Sequence, residues 1–510
     1  MSIVLVAQNA RFAHTAFGLR YLKANLPTAL RDITHILEFD LTARPGDIVE
    51  AILSHGPTII GLGVHIWNAR QAYHLATTLK QVAPAIPLIL GGPEISHEID
   101  KQPIAGYADH IITGEAELAF AELCIQLQRG QHPPDKIIHA EPPDPAQLTL
   151  PYDLYSDEDL THRTIYVEAS RGCPFRCAFC LSALDKTTRP FPLEPFLEAM
   201  QRLHERGLRR FKLVDRTFNL APDRSRRILE FFLEHVSPEL FVHIEVIPDR
   251  LPDALKETIA RFPAGSLQLE MGFQSFYHET QARIGRQQNN PLAEENLRWL
   301  LTQTGVHLHT DLIIGLPGED EARFGLGFDR LIKAGAQEIQ VGILKRLRGA
   351  PIAQHSRPFG MIYSLEAPYE LLANDLIPFE RMQHLKRFAR FWDLIGNSGR
   401  FPHFRGWLLE QDAPFTPFMT LSAWLFEVYG RRTHGISLRR LFGGMALGLQ
   451  EALSLNPQQA QQLIGADFQR AFPSERADAL SGLMARIQRC NSEKVVSGIQ
   501  RQARHLRVSS

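Results

Sequence analysis

The sequence predicts an α/β protein in which two parallel β-sheets precede a mostly helical C-terminal region. Three observations support this prediction. Short apolar runs alternate with helical patterns over the first 130 residues, a second such series begins near residue 164, and the strand pattern fades after about residue 350. Strands that are apolar along their whole length are typical of parallel sheets covered on both faces. We therefore expect a doubly wound sheet, then an open or partial barrel of six parallel strands with crossover helices, and then helices.

The first series contains five candidate strands. They are SIVLVA (Ser2 to Ala7), THILEF (Thr34 to Phe39), TIIGLGV (Thr58 to Val64), PLILGG (Pro87 to Gly92) and HIITGE (His110 to Glu115). The stretches Phe17 to Leu26 and Ala69 to Val82 have apolar residues at helical spacing. A doubly wound sheet binds its ligands at the carboxyl ends of its strands, so we expect a site there.

The second series contains six candidate strands. They are TIYVEAS (Thr164 to Ser170), FKLVD (Phe211 to Asp215), LFVHIEV (Leu240 to Val246), SLQLEMG (Ser266 to Gly272), HLHTDLIIG (His307 to Gly315) and EIQVGIL (Glu338 to Leu344). Helical patterns separate them, for example Leu193 to Arg206 and Ala322 to Ala334. In such a barrel the site lies on the C-terminal side of the strands.

Composition shifts suggest the domain boundaries. Residues 131 to 152 are polar and contain six prolines, so we predict a Pro-rich linker over residues 131–160. The predicted domains are then 1–130, 161–349 and 350–510, and long helical patterns such as Phe379 to Ile395 mark the last of them.

The overall composition excludes several classes of protein. The chain has 510 residues, of which 44% are hydrophobic and 22% charged, and its net charge of −1 does not favour a generic polyanion binder. No apolar run approaches the roughly 18 residues that span a bilayer, and the N-terminus lacks the basic region of a signal peptide. Five cysteines do not make a disulfide framework in a chain of this length, so we expect a cytoplasmic protein.

Three of the cysteines, Cys173, Cys177 and Cys180, lie within eight residues, directly after the first strand of the second series. The segment ASRGCPFRCAFCLSAL has the spacing C-x-x-x-C-x-x-C, with Phe179 as a hydrophobic shield beside the last cysteine. Thiolates hold cubane iron–sulfur clusters, for which a full set of protein ligands is four. Three thiolates leave one iron open, and catalytic metal sites keep an open position. The alternatives are structural zinc and unrelated core cysteines, but the paired C-x-x-C arms and fourth ligand typical of zinc are not obvious here.

This segment resembles the cysteine loop of the radical S-adenosylmethionine (SAM) superfamily. The order of elements from Thr164 to about Gly349 is similar to that family's partial TIM-type barrel. The resemblance implies a 4Fe-4S cluster that is held by the three cysteines and whose open iron is chelated by SAM. It also implies that one electron from the cluster cleaves SAM to methionine and a 5′-deoxyadenosyl radical, which abstracts a hydrogen atom from the substrate.

The same resemblance suggests residues that contact SAM. VDRTFN (Val214 to Asn219) stands where the family binds the SAM amino group, with Asp215 in place of the usual Gly-Gly-Glu. LEMGFQS (Leu269 to Ser275) resembles the fourth-strand segment, in which Glu270 and Gln274 would face SAM or its ribose. An acidic residue at a strand end is otherwise a cap or a salt-bridge partner, and this alternative stays open for both carboxylates.

The fifth-strand motif and two basic residues complete the predicted barrel site. DLIIGLPGED (Asp311 to Asp320) matches the family's fifth-strand motif, which packs near adenine. Arg286 and Lys345 are further possible site residues, with the alternative that they are simply solvated, as most basic residues are.

The first sheet lacks the loop of a dinucleotide site. Such a site needs G-x-G-x-x-G after the first strand, but AQNARFAHTAFG has no glycine before Gly18. A sheet of this kind ahead of a radical SAM barrel resembles the Rossmann-like domain of the cobalamin-binding radical SAM proteins. GVHIWN, GGPE and TGEAE, after the third, fourth and fifth strands, carry that resemblance, since glycines permit close approach of a bulky ligand. The cobalamin-binding residues that it implies are His65, Gly91, Gly92 and Glu115.

The cobalt ligand is left open. The D-x-H-x-x-G motif of classical cobalamin-binding enzymes is absent, and His14 and His65 lie in loops without its neighbours. A lone loop histidine is more often a surface or structural residue. The alternative for the whole domain is a vestigial fold that serves substrate or partner binding.

The C-terminal region resembles an extension found in one subgroup of these proteins. PYELLANDLI (Pro368 to Ile377) and the Asn-Ser-Gly at 397–399 carry that resemblance. The C-terminal region also contains two clusters of arginines. We interpret them as solvated helix faces rather than phosphate sites, so we do not expect nucleic acid as a partner. Their members are Arg431, Arg432, Arg439 and Arg440, and Arg501, Arg504 and Arg507.

The sequence therefore predicts a cytoplasmic radical SAM enzyme with a 4Fe-4S cluster, SAM and cobalamin. The favoured reaction is methyl transfer to an unactivated carbon or phosphorus of a small-molecule or unknown substrate. The expected partner is an external one-electron reductant of the flavodoxin or ferredoxin type. One alternative is a cobalamin-dependent radical rearrangement or cyclisation without methyl transfer. The other is a non-catalytic iron–sulfur sensor or assembly protein.

Overall fold

The chain forms two compact units. A computed structural model describes residues 2–476 and 478–492, without the side chains of residues 490–492. The larger unit extends to Phe379, except for residues 325–333 and 338–341, which belong to the smaller unit together with the residues from Glu380 onward. In the described part of the chain, no helix combines the length and the apolar character needed to cross a bilayer.

The N-terminal sheet is parallel and has six strands. Its strands are β1 (Ser2–Asn9), β2 (Thr34–Asp40), β3 (Pro57–Gly63), β4 (Leu88–Gly91), β5 (His110–Thr113) and β6 (Ile137–His139), in the order β2-β1-β3-β4-β5-β6. Its helices are α1 (Phe17–Ala24), α2 (Thr28–Asp32), α3 (Pro45–Ser54), α4 (Ala69–Val82) and α5 (Glu117–Gln128). The five predicted strands are confirmed, but the prediction missed β6, which lies in the segment interpreted as a linker.

Burial on both faces explains the continuous apolar strands of this sheet. All eight residues of β1 are buried. Val4 and Val6 belong to the core on one face, whereas Ile3 and Leu5 belong to the core on the other. Because neither face meets water, an alternating polar pattern would be destabilising here.

The second sheet is open, and its strands follow one another in sequence order. After α6 (Asp157–His162) come β7 (Ile165–Val167), the short pair β8 (Ser170–Arg171) and β9 (Arg189–Pro190), β10 (Arg210–Leu213), β11 (Phe241–Val246), β12 (Leu267–Gln274), β13 (His307–Ile314) and β14 (Glu338–Ile343). The sheet order is β14-β13-β12-β11-β10-β7, and the neighbours from β7 to β13 are parallel. The intervening helices are α7 (Leu193–Glu205), α8 (Pro222–Glu234), α9 (Asp253–Ala260), α10 (His278–Arg283), α11 (Asn290–Gln303) and α12 (Glu321–Ala334). The prediction of a partial barrel is confirmed.

The rest of the chain is mostly helical, as predicted. A hairpin of β15 (Ile362–Tyr363) and β16 (Leu371–Ala373) closes the larger unit. The following helices are α13 (Phe379–Ile395), α14 (Pro402–Leu409), α15 (Phe415–Val428), α16 (Leu438–Glu451), α17 (Pro457–Ala471) and α18 (Ala479–Ser492). Edge-to-face contacts of Trp392 with Phe328 and Phe418 contribute to the core of the smaller unit.

The structure describes the first of the two predicted basic clusters but not the second. Arg439 pairs with Glu475, and Arg431 pairs with Glu427 one helical turn away, so part of the first cluster is neutralised locally. Arg501, Arg504 and Arg507 lie outside the described residues.

Candidate active site

The three clustered cysteines lie in a loop between β8 and β9. Gly172 precedes the first cysteine with φ +82°, and a Cβ there would collide with the backbone oxygen of Thr187, so this position requires glycine. The amide of Cys173 donates to the Asp185 carbonyl at 3.1 Å, and the amide of Cys180 donates to the Cys177 carbonyl at 3.0 Å. The loop is therefore folded by its own backbone.

The thiols are close enough for their charges to interact. Cys173 and Cys177 are each 8% exposed, Cys180 is partly exposed, and all three are free thiols. Burial raises the pKa of Cys173 and Cys177, and the charge of neighbouring thiols raises it further. Phe179 is half-buried beside Cys180. The fourth described cysteine, Cys124, lies apart from them in the core of the first sheet.

Arg286 counteracts this thiol repulsion. Its Nη1 lies 3.8 Å from Cys177 Sγ, and its Nη2 donates to the Gly272 carbonyl on β12. The guanidinium lowers the pKa of Cys177 against the larger effect of burial. Arg286 thus contacts the cysteine loop, and its role as a site residue stays a prediction. The other basic candidate, Lys345, is exposed and forms an isolated β-bridge with Glu370.

Asp215 holds the strand that leads into the cysteine loop. Its carboxylate accepts hydrogen bonds from the Ala169 amide at 2.9 Å and from Ser170 Oγ at 2.6 Å. The residue is 2% exposed, and burial raises its pKa. These contacts support the alternative that Asp215 caps the end of a strand. Binding of the SAM amino group by Asp215 stays a prediction.

Glu270 and Gln274 lie on the inner side of β12, where alternate residues are half-buried. Glu270 Oε2 lies 3.0 Å from His243 Nε2. Burial alone would raise the pKa of Glu270, but His243 and further cationic neighbours hold it below its usual value. Gln274 has φ +67° at an irregularity in the pairing with β13, and its amide packs over Gly272. Strained backbone of this kind clusters at functional sites.

Two charged neighbours of this region, Arg216 and Glu245, were not among the predicted site residues. Arg216 Nη1 donates to Glu245 Oε1 at 2.8 Å, and Glu245 pairs in register with Glu270. Asp311, at the start of the fifth-strand motif, is opposite Gly272 in the sheet. Burial, followed by the charge of Glu270, raises the pKa of Asp311. Strand spacing places each residue on a face, but it does not reveal such pairs.

A second group of charges surrounds Arg171, two residues before Cys173. Its guanidinium contacts Glu117 and Glu168 at 2.8 Å each and Glu115 at 2.9 Å. Burial raises the pKa of Glu168 to about 7. Glu115, predicted to bind cobalamin, also pairs with Arg189. Its observed contacts are therefore to two arginines, and its role toward cobalamin stays a prediction.

A cavity of about 580 Å³ lies at the carboxyl ends of β1, β3, β4 and β5. The glycines that border it are Gly18, Gly61, Gly63, Gly91, Gly92 and Gly114. Gly92 has φ +108°, and a Cβ there would meet the Val64 carbonyl. Tyr21, Glu117, Glu168 and Arg171 form a polar wall, whereas most of the remaining lining is apolar.

The two candidate cobalt ligands both border this cavity. His65 stacks on Trp67 with 4.4 Å between ring centroids, and burial lowers its pKa to about 4. His65 is therefore neutral at pH 7, and a neutral imidazole is the form that binds metals. His14 Nδ1 instead lies 2.6 Å from Tyr166 Oη, so that nitrogen already has a partner.

Family models match along most of the chain. A B12 binding domain matches residues 3–124, the radical SAM superfamily matches residues 167–325, and a protein family of unknown function (DUF4080) matches residues 357–507. The chain thus carries a B12-binding domain followed by a radical SAM domain. The resemblance expected from the cysteine spacing and from the loops of the first sheet is thus confirmed.

Similar proteins include methyltransferases. An uncharacterized methyltransferase of Pyrococcus horikoshii is 29% identical over 271 residues, which are 47% of this chain and 58% of that protein. The cobalamin-dependent radical SAM methyltransferase TokK of Streptomyces tokunonensis is 23% identical over 344 residues, 58% of this chain and 48% of that protein. The chain thus spans about half the length of these curated relatives. The radical SAM methyltransferase TsrM of Kitasatospora setae shares the fold with a TM-score of 0.58, at 15% identity over 74% of this chain and 80% of that one.

The residues of this radical SAM protein fit the cofactors of its two matched domains. Each thiolate of a cubane cluster binds a different iron, so the thiols need not converge on one point, and the described residues contain no group of three ligands around a single ion. At the first sheet, glycines and apolar side chains leave room for a large, flat ligand, and the neutral His65 offers a nitrogen.

Proposed function

We propose that this protein is a cobalamin-dependent radical SAM methyltransferase that acts on an unactivated carbon or phosphorus of a small molecule. The observation that carries the proposal is the shared wall between the cavity and the cysteine loop. Glu168 and Arg171 border the cavity, and Arg171 stands two residues before Cys173 in the chain. Two cofactor sites built on one strand-to-loop segment suit a reaction that uses both cofactors. We also propose three domains, 1–130, 161–349 and 350–510, with the linker 131–160 between the first two.

The cysteine loop would hold the 4Fe-4S cluster through Cys173, Cys177 and Cys180. When bound, the cluster supplies one electron that cleaves SAM to methionine and a radical able to take a hydrogen atom from an unactivated position. Arg286 offsets the negative charge that collects at Cys177. Asp215 fixes the entry to the loop, and Glu270 and Gln274 present polar groups to SAM from the inner side of β12. The electron comes from an external donor of the flavodoxin or ferredoxin type.

The cavity of the first sheet would hold cobalamin. When bound, this cofactor supplies a methyl group in a form that can be transferred to a substrate radical. Gly91 and Gly92 leave the space above β4 free of side chains, and His65 lies within reach of the cavity as a neutral base. The mostly apolar lining disfavours water around a bound cofactor, which would protect a reactive intermediate.

The test is an anaerobic assay on the reconstituted chain with SAM, dithionite and methylcobalamin. We expect 5′-deoxyadenosine, measured by mass spectrometry, and S-adenosylhomocysteine in addition if methyl groups are transferred over several turnovers, because a second SAM would then have to remethylate the cobalamin. Deoxyadenosine without S-adenosylhomocysteine would instead favour a cobalamin-dependent rearrangement or cyclisation. An intact cluster that never cleaves SAM, even with cell extract added, would contradict the proposal and favour a sensor or assembly protein.

A matched pair of cysteine variants controls this assay. Cys177→Ala removes a proposed cluster ligand beside Arg286, and we expect no deoxyadenosine from it. Cys124→Ala removes a thiol of the first core, and we expect deoxyadenosine to form. Loss of the product from both variants would mean that the assay reports damage to the fold rather than loss of the cluster.

A further inference from the structure

Five polar side chains form a row across the inner face of the second sheet. Tyr166, Lys212, His243, Gln268 and His307 stand opposite one another in register on β7, β10, β11, β12 and β13. The residues directly before and after each of them along its strand are buried among the apolar core. Because side chains alternate along a strand, this polar row faces away from that core, toward the concave inner side.

The composition of the polar row is unusual for its place in the fold. Layers of side chains inside an α/β barrel are normally dominated by bulky branched apolar residues, which fill the interior. A complete layer of hydroxyl, ammonium, imidazole and amide groups would be costly if it only packed against itself. Such a layer is expected where the barrel interior receives a polar ligand.

Two members of the polar row make no direct polar contact with another side chain of the described residues. Lys212 and Gln268 make no hydrogen bond or ion pair there, although they stand on either side of His243. His243 itself is engaged with Glu270. A cation and an amide without hydrogen-bond partners are thus held two strands apart on the same face of the sheet. Free donors of this kind are positioned to bind a ligand.

The charge of Lys212 affects groups near both proposed cofactor sites. After burial, it is the next largest cause of the lowered pKa of His14, and it contributes to the lowered pKa of Glu270. His14 contacts Tyr166 at one end of the polar row, and both residues border the cavity proposed for cobalamin. Glu270 lies toward the carboxyl end of the sheet, where the cysteine loop begins. Lys212 therefore stands between the two proposed cofactor sites.

We infer that the polar row is the substrate-binding surface and that the substrate carries a carboxylate or phosphate group, which Lys212 binds. The ammonium of Lys212 and the side-chain N–H groups of Gln268 donate to its anionic oxygens, and the hydroxyl of Tyr166 borders the same space. This assignment rests on the proposed function, because a substrate between the two cofactors is what that function requires. It excludes fully apolar substrates such as hydrocarbons and uncharged lipids.

The test captures small molecules on the reconstituted full-length chain. The probe is the fraction below about 1 kDa of a deproteinised extract of the source cells. One half of this fraction is first passed over an anion exchanger, the other half is not, and each half is then incubated with the protein. Retained molecules are collected by ultrafiltration and identified by mass spectrometry. We expect at least one retained molecule that the anion exchanger removes beforehand. Loss of that molecule after alkaline phosphatase treatment would identify a phosphate monoester, and for a molecule that persists the mass spectrum distinguishes a carboxylate from a phosphodiester.

Variants connect this capture to the polar row. Lys212→Met is expected to retain the molecule roughly tenfold less well, because a charge-assisted hydrogen bond is lost. Lys212→Arg should restore part of the retention, Gln268→Leu should weaken it, and the exposed Lys136→Met should match the wild type. Circular dichroism checks that each variant is folded.

Three outcomes would overturn the inference. They are retention only of molecules that the anion exchanger does not bind, with SAM and its cleavage products left out of the comparison, equal retention of the anionic molecule by Lys212→Met, and no retention of an anionic molecule by the wild type. Because capture is read without turnover, the SAM-cleavage assay judges the proposed function separately.

Discussion

The two parallel sheets present different surfaces at the carboxyl ends of their strands. The first ends in glycines, Gly63, Gly91 and Gly114, around an apolar cavity. The second ends in thiols and charges, with Cys177 beside Arg286 and Glu270 beside His243. Similar strand topology therefore carries two kinds of surface: the first edge provides room, and the second provides charges and the thiols that we propose as cluster ligands. Substitutions at the first edge should act by filling space, and substitutions at the second by removing a charge or a ligand.

The largest effect is expected from removing a thiol at the second edge. Cys173→Ala should abolish cluster binding, because two thiolates cannot replace the three that the loop provides. Iron and sulfide analysis after anaerobic reconstitution, with the visible absorbance of the protein, measures this. Cys124→Ala, in the core of the first sheet, should reconstitute as the wild type does. A cluster of normal content in Cys173→Ala would break the assignment of the second edge.

The next effect concerns the charges that connect the two edges. Arg171→Met should lower the free energy of unfolding by about 3–5 kcal/mol, because Glu117 and Glu168 would stay buried without their cation. Urea unfolding followed by circular dichroism measures the loss. The control is Arg202→Met, whose partner Asp153 is well exposed and whose loss should cost about 0–1 kcal/mol. Equal losses in the two variants would mean that the buried network adds nothing specific.

Filling space at the first edge should have a smaller effect on stability and a specific one on binding. Gly92→Ala forces a side chain into a left-handed backbone position against the Val64 carbonyl, at a cost of about 1–3 kcal/mol. We expect weaker cobalamin binding as well, measured by absorbance titration of the cobalamin spectrum. Gly106→Ala is the control, because a Cβ there meets nothing within 4 Å. Unchanged cobalamin binding in Gly92→Ala would show that the cofactor does not use this edge.

The sequence predicts the strands of both sheets better than it predicts the site. Strands such as β1 and β3 contain continuous apolar runs, and the cysteine loop is marked by its spacing. Strand β6 was missed because its three residues are mostly exposed and lie among prolines. The contacts of Arg171 with Glu115, and of Arg216 with Glu245, join residues 56 and 29 positions apart. Such pairs depend on how strands are arranged in space, which local periodicity does not encode.

The smallest effect, a pH dependence, tests whether charge controls the second edge. Glu319 follows β13, is 2% exposed and accepts a hydrogen bond from Ser275 Oγ, while its Oε2 has no hydrogen-bond partner among the described residues. Burial raises the pKa of Glu319 to about 7. The folded state therefore holds this proton more tightly than the unfolded state, whose carboxyl has an ordinary pKa near 4.3. Stability from this group is present at low pH and is lost as the pH rises from about 4.3 toward 7.

Glu319→Gln should remove this dependence, because an amide keeps the shape and the acceptor but cannot lose a proton. The stability of the variant relative to the wild type should rise between pH 5 and 7, with a slope of up to about 1.4 kcal/mol per pH unit. Subtracting the wild-type curve removes the contribution of Glu168, whose raised pKa gives a slope of the same sign in both proteins. Glu279→Gln, at an exposed carboxylate on α10, should give a flat difference curve. A flat curve for Glu319→Gln too would mean that the buried carboxyl titrates as if it were in water, and that this part of the second edge is not governed by charge.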